Sequence, residues 1–292
     1  MLPRGHRVDR IMEKTIQTMN IRGRLVDLAC PQVMGILNVT PDSFYAVSRC
    51  PDPETIRQRV RRIRQEGASM LDIGGYSSRP GADDVSPREE WQRLQPAIEI
   101  AREEWPDAII SVDTFRAEVA RRAVEAGVDI VNDIAGGDMD PEMFPTVADL
   151  HVPYVLMHMQ GTPKDMQQAP TYTDVMTEVF RSLGERVETL HEMGVADVIL
   201  DPGFGFGKTL QQNYRMMARL SEFRLLGCPL LVGVSRKSMI YRLLGCTPEQ
   251  ALNGTTVLHT MALLNGADIL RVHDVREAVE AVKIYTQCLI SE

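Results

Sequence analysis

The chain is poor in cysteine, in long apolar runs and in positive charge, and each shortage narrows what it can be. Its five cysteines (Cys30, Cys50, Cys228, Cys246 and Cys288) are odd in number and far apart, with no Cys-x-x-Cys pair. That usage excludes a disulfide framework or a zinc site of ordinary spacing and points to a reducing cytosol. No pair of histidines has metal-ligand spacing either, so no structural metal is expected. No run approaches the roughly 18 consecutive apolar residues of a membrane span. The N-terminus lacks the apolar centre of a secretion signal. Lysine and arginine number 32 against 40 acidic residues, leaving a net charge of −8. Such a balance supplies no broad field for nucleic-acid phosphates, so no nucleic-acid partner is expected. The arginines at 57, 59, 61, 62 and 64 alternate with Ile56, Val60 and Ile63 at helical spacing, which reads as a solvated helix face.

What is present is ordinary globular material. The chain has 292 residues, 44% hydrophobic and 25% charged, enough for two modest domains or one α/β barrel. Eight short apolar runs recur at residues 33–37, 70–73, 109–112, 130–131, 154–157, 198–200, 230–232 and 269–272. Between them lie helical periodicities, such as Val175, Val179, Leu183, Val187 and Leu190, or Val275, Val279, Val282 and Leu289. Glycine stands before the next run at Gly67, Gly127, Gly194 and Gly266, as the turn from a helix into a strand requires. A repeat of about 34 residues fits a (β/α)8 barrel better than two doubly wound halves. Ahead of it, residues 1–13 are basic and patternless and are expected to be a mobile tail. Short alternating segments around Arg22-Gly23-Arg24 predict a hairpin. No low-complexity linker marks a second domain, so residues 14–292 are read as a single TIM barrel with a short N-terminal hairpin extension.

In such barrels function sits at the carboxyl ends of the strands. The residues there are Asn38, Asp72 with Gly74-Gly75, Asp113, Asn132 with Asp133, His158, Asp201, Ser235-Arg236-Lys237, and Arg271 with His273. Singly, each is an ordinary cap or turn residue; together they outline a site. The densest stretch is 197–208, where a buried-strand pattern stops at Asp201 and runs into Pro202, Gly203, Phe204, Gly205, Phe206, Gly207 and Lys208. Lys208 stands where a dinucleotide fingerprint needs glycine, and Pro202 stands where a nucleotide P-loop needs one, so neither motif is present. Asp113, Asn132 and Asp201 suit a flat, nitrogen-rich heterocycle, whose N–H groups a carboxylate can grip. Lys237, Arg271 and His273 form a cationic corner where barrels often bind phosphate. The alternative for Arg271 and His273 is an ion pair with Asp274 or Asp268. His158, between Met157 and Met159, is either a ligand group or a hydrogen-bonded core histidine.

Several of these segments together resemble dihydropteroate synthase. They are Asn38-Val39-Thr40-Pro41-Asp42-Ser43-Phe44, Ser78-Arg79-Pro80-Gly81, Ser111-Val112-Asp113-Thr114, Asn132-Asp133-Ile134, the run from Asp201 to Lys208, Ser235-Arg236-Lys237-Ser238 and Arg271-Val272-His273-Asp274. The resemblance runs from about Val33 to the C-terminal helix, in the same order and register. It implies a (β/α)8 barrel that joins a pterin methyl diphosphate to 4-aminobenzoate and releases diphosphate, working as a homodimer. It further implies that Asp113, Asn132, Asp201 and Lys237 hold the pterin, with Asp113, Asp201 and Lys237 closest to the chemistry. Asn38, Arg271 and His273 would bind the diphosphate, with Mg²⁺ bridging Asn38 and the leaving group. Ser78, Arg79 and Pro80, with Phe206, Ser235 and Lys237, would border the aminobenzoate.

Two segments depart from the family pattern. Tyr45-Ala46-Val47-Ser48 replaces the frequent Ser-Asp-Gly-Gly, and Tyr76 stands where glutamate is usual. Both lie in the first and second loops, 39–51 and 74–84, whose polar, glycine- and proline-rich composition is expected to make them mobile. Two other readings compete: a methyltetrahydrofolate methyltransferase, which needs no diphosphate corner, and a non-catalytic pterin-binding barrel.

Overall fold

The computed structural model describes residues 17–40, 52–77, 85–162 and 170–291. The expected tail at 1–13 and most of the two loops, Tyr45 to Ser48 included, lie outside these residues, as do Ser78, Arg79 and Pro80. Strands β1 (Thr18–Ile21) and β2 (Arg24–Asp27) form the antiparallel hairpin. Arg22 and Gly23 both take positive φ (52° and 75°) at its turn, the geometry a tight two-residue hairpin loop demands.

Eight parallel strands follow: β3 (Gln32–Asn38), β4 (Met70–Gly74), β5 (Ile109–Asp113), β6 (Ile130–Asp133), β7 (Tyr154–Met157), β8 (Val198–Asp201), β9 (Leu231–Val232) and β10 (Ile269–Val272). They are ordered β8-β7-β6-β5-β4-β3-β10-β9. The ring is completed between β8 and β9 by an isolated bridge from Leu200 to Leu230, where the Leu200 N–H donates to Pro229 O at 2.8 Å. The helices lie between the strands. On α1 (Pro53–Gln65), Ile56, Val60 and Ile63 are buried beneath the arginines, as the spacing predicts. Arg59 turns partly inward, donating to His273 O at 2.9 Å. Gly67, Gly127, Gly194 and Gly266 all take positive φ at the exits of helices.

The period of two within each strand sorts side chains into two shells. Outward-facing Val33, Leu71, Ile110, Val131, Leu156, Leu200, Val232 and Leu270 pack against the helices. Inward-facing Met34, Met70, Ile130, Val155, Ile199, Leu231 and Ile269 fill the bottom of the barrel, where Met19, Ile21 and Leu28 of the hairpin segment plug it. Two residues further along, the inward positions of five strands become polar, at Asp72, Ser111, Asn132, Asp201 and Arg271, while β3 and β7 keep Ile36 and Met157 and Gly233 follows β9. The apolar floor thus carries a polar layer directly above it.

Candidate active site

Strand parity decides which of the predicted residues meet. Asn38, Gly74, Asp113 and Asn132 lie in one cross-strand row, each paired with the next. Gly74 keeps that row open: a Cβ there would lie 3.3 Å from Asn38 Oδ1 and 3.5 Å from Asp113 Cβ. Arg271, on the inward face of β10, reaches across the barrel. Its Nε donates to Asp72 Oδ2 at 2.7 Å and its Nη2 to Asp113 Oδ2 at 2.6 Å. Asn132 Nδ2 donates to the same Asp72 oxygen at 3.3 Å. Asp72 is fully buried, and its Oδ1 has no hydrogen-bond partner among the described residues. That leaves Arg271 as the main compensation for a charge removed from water.

A second group closes the other side. Asp201, at the end of β8, is buried and accepts from the Gly203 N–H at 2.8 Å. Lys237 donates to Phe204 O at 2.6 Å, and its ammonium stands 4.5 Å from the centre of the Phe206 ring. Ser235 Oγ accepts from the His273 N–H at 3.2 Å. A Cβ on Gly233 would lie 3.8 Å from Lys237 Nζ, 3.9 Å from Arg271 Cβ and 3.9 Å from Asp201 Oδ2. This glycine therefore marks where the two groups converge.

The electrostatics follow from burial. Burial raises Asp113 to about 7, with the Arg271 charge opposing. Burial likewise raises Asp201, against the pull of Lys237. Lys237 is lowered to about 8 by desolvation, with Asp201 opposing. With every group ionised, three carboxylates (Asp72, Asp113 and Asp201) face two cations (Arg271 and Lys237), and the pocket floor carries one net negative charge. Such a floor suits N–H donors and a developing cation.

Not every rim residue belongs to it. Asp133 has outward parity and serves structure, accepting from Tyr154 Oη at 2.7 Å and from the Ala135 and Gly137 N–H groups. His158 also points away from the pocket, 3.2 Å from Lys208 Nζ. Burial, then the Lys208 charge, pushes it down to about 2, so it is the hydrogen-bonded core histidine. The ion-pair alternative for Arg271 is half right, with the wrong partners. Asp274 is taken by Arg236 at 2.8 and 2.9 Å, and Asp268 accepts from the Leu230 N–H. Arg271 pairs instead with Asp72 and Asp113. The sequence reading missed Asp72 as a partner and Gly233 as a spacer; inward parity two residues above the apolar layer signals both. Tyr76 packs edge-on against Phe115, with ring centres 5.0 Å apart, beneath the Arg116 guanidinium.

Among the described residues no group of three or more His, Cys, Asp or Glu is suited to hold a metal, and no helix is long and apolar enough to cross a membrane. Residues 34–273 match the pterin binding enzyme family. The chain is 44% identical over 265 residues to the dihydropteroate synthase of Escherichia coli K12, covering 90% of this chain and 93% of that one. The Yersinia pestis dihydropteroate synthase, solved as a sulfonamide drug complex, superposes with a TM-score of 0.88. It is 42% identical and covers 94% of this chain and 100% of its own. The Xanthomonas albilineans dihydropteroate synthase solved with 4-aminobenzoic acid has a TM-score of 0.84 at 42% identity, covering 94% of this chain and 99% of its own.

Proposed function

The chain belongs to the dihydropteroate synthase family of pterin-binding enzymes, and from that premise we infer how its pocket divides the work. The activity is a transfer that builds a folate precursor. The methylene group of a pterin methyl diphosphate passes to the nitrogen of 4-aminobenzoate, giving dihydropteroate and diphosphate. The observation that carries the assignment of roles is the paired arrangement of Asp72–Arg271–Asp113 and Asp201–Lys237 around the gap left by Gly74 and Gly233.

Asp113, Asn132 and Asp201 present acceptors, and Asn132 also a donor, to the edge of the pterin, with Lys237 beside its ring. As the C–O bond to diphosphate breaks, its electron pair leaves with the oxygen and positive charge grows on the methylene. The net negative floor stabilises that charge where it forms, in a site already desolvated. Arg271 and His273 take the departing anion. The arylamine nitrogen then forms the C–N bond with its lone pair and sheds a proton. This neutral nucleophile needs position more than activation, and Phe206, Ser235 and Lys237 border it.

Magnesium fits the donors present. A hard cation of this kind keeps several waters and binds through one or two protein oxygens plus phosphate. The amide oxygen of Asn38, beside the gap at Gly74, offers one such ligand, with no all-protein cage among the described residues. Bound there, Mg²⁺ would neutralise charge on the leaving group. A homodimer is supported by the exposed apolar side chains Leu243 and Leu244 on the helix Ser238–Leu244 and Val257, Met261 and Leu264 on the helix Leu252–Leu264. A patch of that kind marks an association surface.

Diphosphate release from the pterin substrate, measured with and without 4-aminobenzoate, tests the roles. Release only in its presence is expected. Equal release in its absence would make the pocket hydrolytic, and no release in either case would leave a binding barrel.

A further inference from the structure

The segment Gly207-Lys208-Thr209 is neither a nucleotide motif nor part of the pocket, yet Lys208 is only 3% exposed. Burial pulls its ammonium down to about 7, with the Asp201 charge opposing, so its immediate surroundings must favour the charged form. No carboxylate forms an ion pair with it among the described residues. Its partners are backbone carbonyls: Nζ donates to Gly203 O at 2.9 Å, Phe206 O at 3.0 Å and His158 O at 3.1 Å. It also lies 3.2 Å from His158 Nδ1. Three carbonyl dipoles from two chain segments converge on one point and would repel one another without a cation there.

The loop is built around this contact. Gly203 and Gly207 take positive φ, and a Cβ on either would strike the backbone of 158–160: Gly203 at 1.9 Å from His158 O, and Gly207 at 2.3 Å from Gln160 O. The loop is pressed onto the end of β7, and Lys208 ties the two together. From the other side Lys237 donates to the intervening carbonyl, Phe204 O, and faces the Phe206 ring. Two lysines thus grip one loop from opposite faces, one buried and one in the pocket.

We propose that Lys208 is a positioning residue, a resident internal cation that fixes the glycine loop so that the Phe206 ring and Phe204 carbonyl meet Lys237 in the geometry 4-aminobenzoate requires. It touches neither substrate. The consequence for turnover rests on the reading that Phe206 and Lys237 border the aminobenzoate. Of the pterin groups, Asp113 and Asn132 stand on other strands and do not depend on this loop, whereas Asp201 and Lys237 each hold one loop contact, at Gly203 N–H and Phe204 O, so the loss for aminobenzoate should exceed that for pterin.

The test uses Lys208→Met, which keeps the stem and removes the charge, and Lys208→Ala, which leaves room for a small cation. In Lys208→Met the KM for 4-aminobenzoate should rise about tenfold or more, while pterin Kd stays within about threefold. Methylammonium, but not tetramethylammonium at equal ionic strength, should raise the melting temperature of Lys208→Ala and lower its KM. An unchanged KM, or an equal loss for pterin and aminobenzoate, would overturn the proposal. Should Lys208→Met fail to fold, the melting temperature of Lys208→Ala decides: no preference for methylammonium overturns it. That same measurement separates the proposal from the functional reading, because it needs no turnover. A wild-type protein inactive with aminobenzoate would sink the reading of the pocket and leave the cation test intact.

Discussion

Replacing Arg271 by methionine should damage the fold and the pocket together, because one guanidinium serves two buried carboxylates. Its contacts to Asp72 and Asp113 are 2.7 and 2.6 Å. With charge centres about 4 Å apart and an effective dielectric of about 20, each pair is worth ~4 kcal/mol before desolvation is counted. The two halves respond differently to the loss. Asp113 is 19% exposed as a side chain and already raised to about 7 by burial, with Arg271 opposing. Without Arg271 it takes up a proton at neutral pH and recovers much of its share. Asp72 is fully buried, its Oδ1 has no partner among the described residues, and without Arg271 its Oδ2 keeps only the Asn132 amide at 3.3 Å. Breaking a buried pair from one side costs ~3–5 kcal/mol, and we expect a loss in that range in urea unfolding at pH 7.5. Arg271→Met/Asp72→Asn should recover about half of it, since the orphaned charge is then gone. Affinity for a bare pterin, followed by calorimetry, should fall about tenfold because Asp113 must first release its proton. A stability loss under about 1 kcal/mol, or a double variant no more stable than the single one, would refute this reasoning.

Three further outcomes follow from the same geometry. Gly233→Ala adds a methyl at ordinary contact distance from Lys237, Arg271 and Asp201. It should leave the melting temperature within about 2 °C and weaken pterin binding about tenfold; a normal Kd would place the ring elsewhere. Asp201→Asn keeps the shape and removes the charge, so kcat/KM should drop by about 2–4 kcal/mol in transition-state terms, and near-normal turnover would remove Asp201 from the assignment. The pH profile of kcat/KM reports groups on the free enzyme. It should rise through about 7 as Asp113 ionises and fall through about 8 as Lys237 loses its proton. Asp113→Asn must abolish the acid limb, and a limb that survives unchanged belongs to another group.

The barrel is legible in the sequence because its strands are buried on both sides and separated by amphipathic helices. All eight apolar runs became strands, although β9 keeps only Leu231 and Val232 before Gly233. The pocket was legible in outline, since a strand end is recognisable by where its apolar run stops. Which way a side chain faces depends on counting parity from the buried layer, and that count separates Asn132 from its neighbour Asp133. Pairings are the hardest part. Arg271 meets Asp72 and Asp113 from across the barrel, 199 and 158 residues away, and nothing local signals it. Asp274 and Asp268 are nearer in sequence and hold other partners. Lys208 was hidden for a similar reason, because its acceptors are carbonyls, which every residue carries.

Seven junctions between strands are stitched by regular ladders, while β8 meets β9 through the lone Leu200–Leu230 bridge. Above that weak stave the span is crossed by a side chain, Lys237, reaching from beyond β9 to the carbonyl of Phe204 beyond β8. The hoop is therefore fastened at its working end by a group that also faces the ligand. On the proposed assignment, a pterin that engages Lys237 and Asp201 becomes part of the fastening.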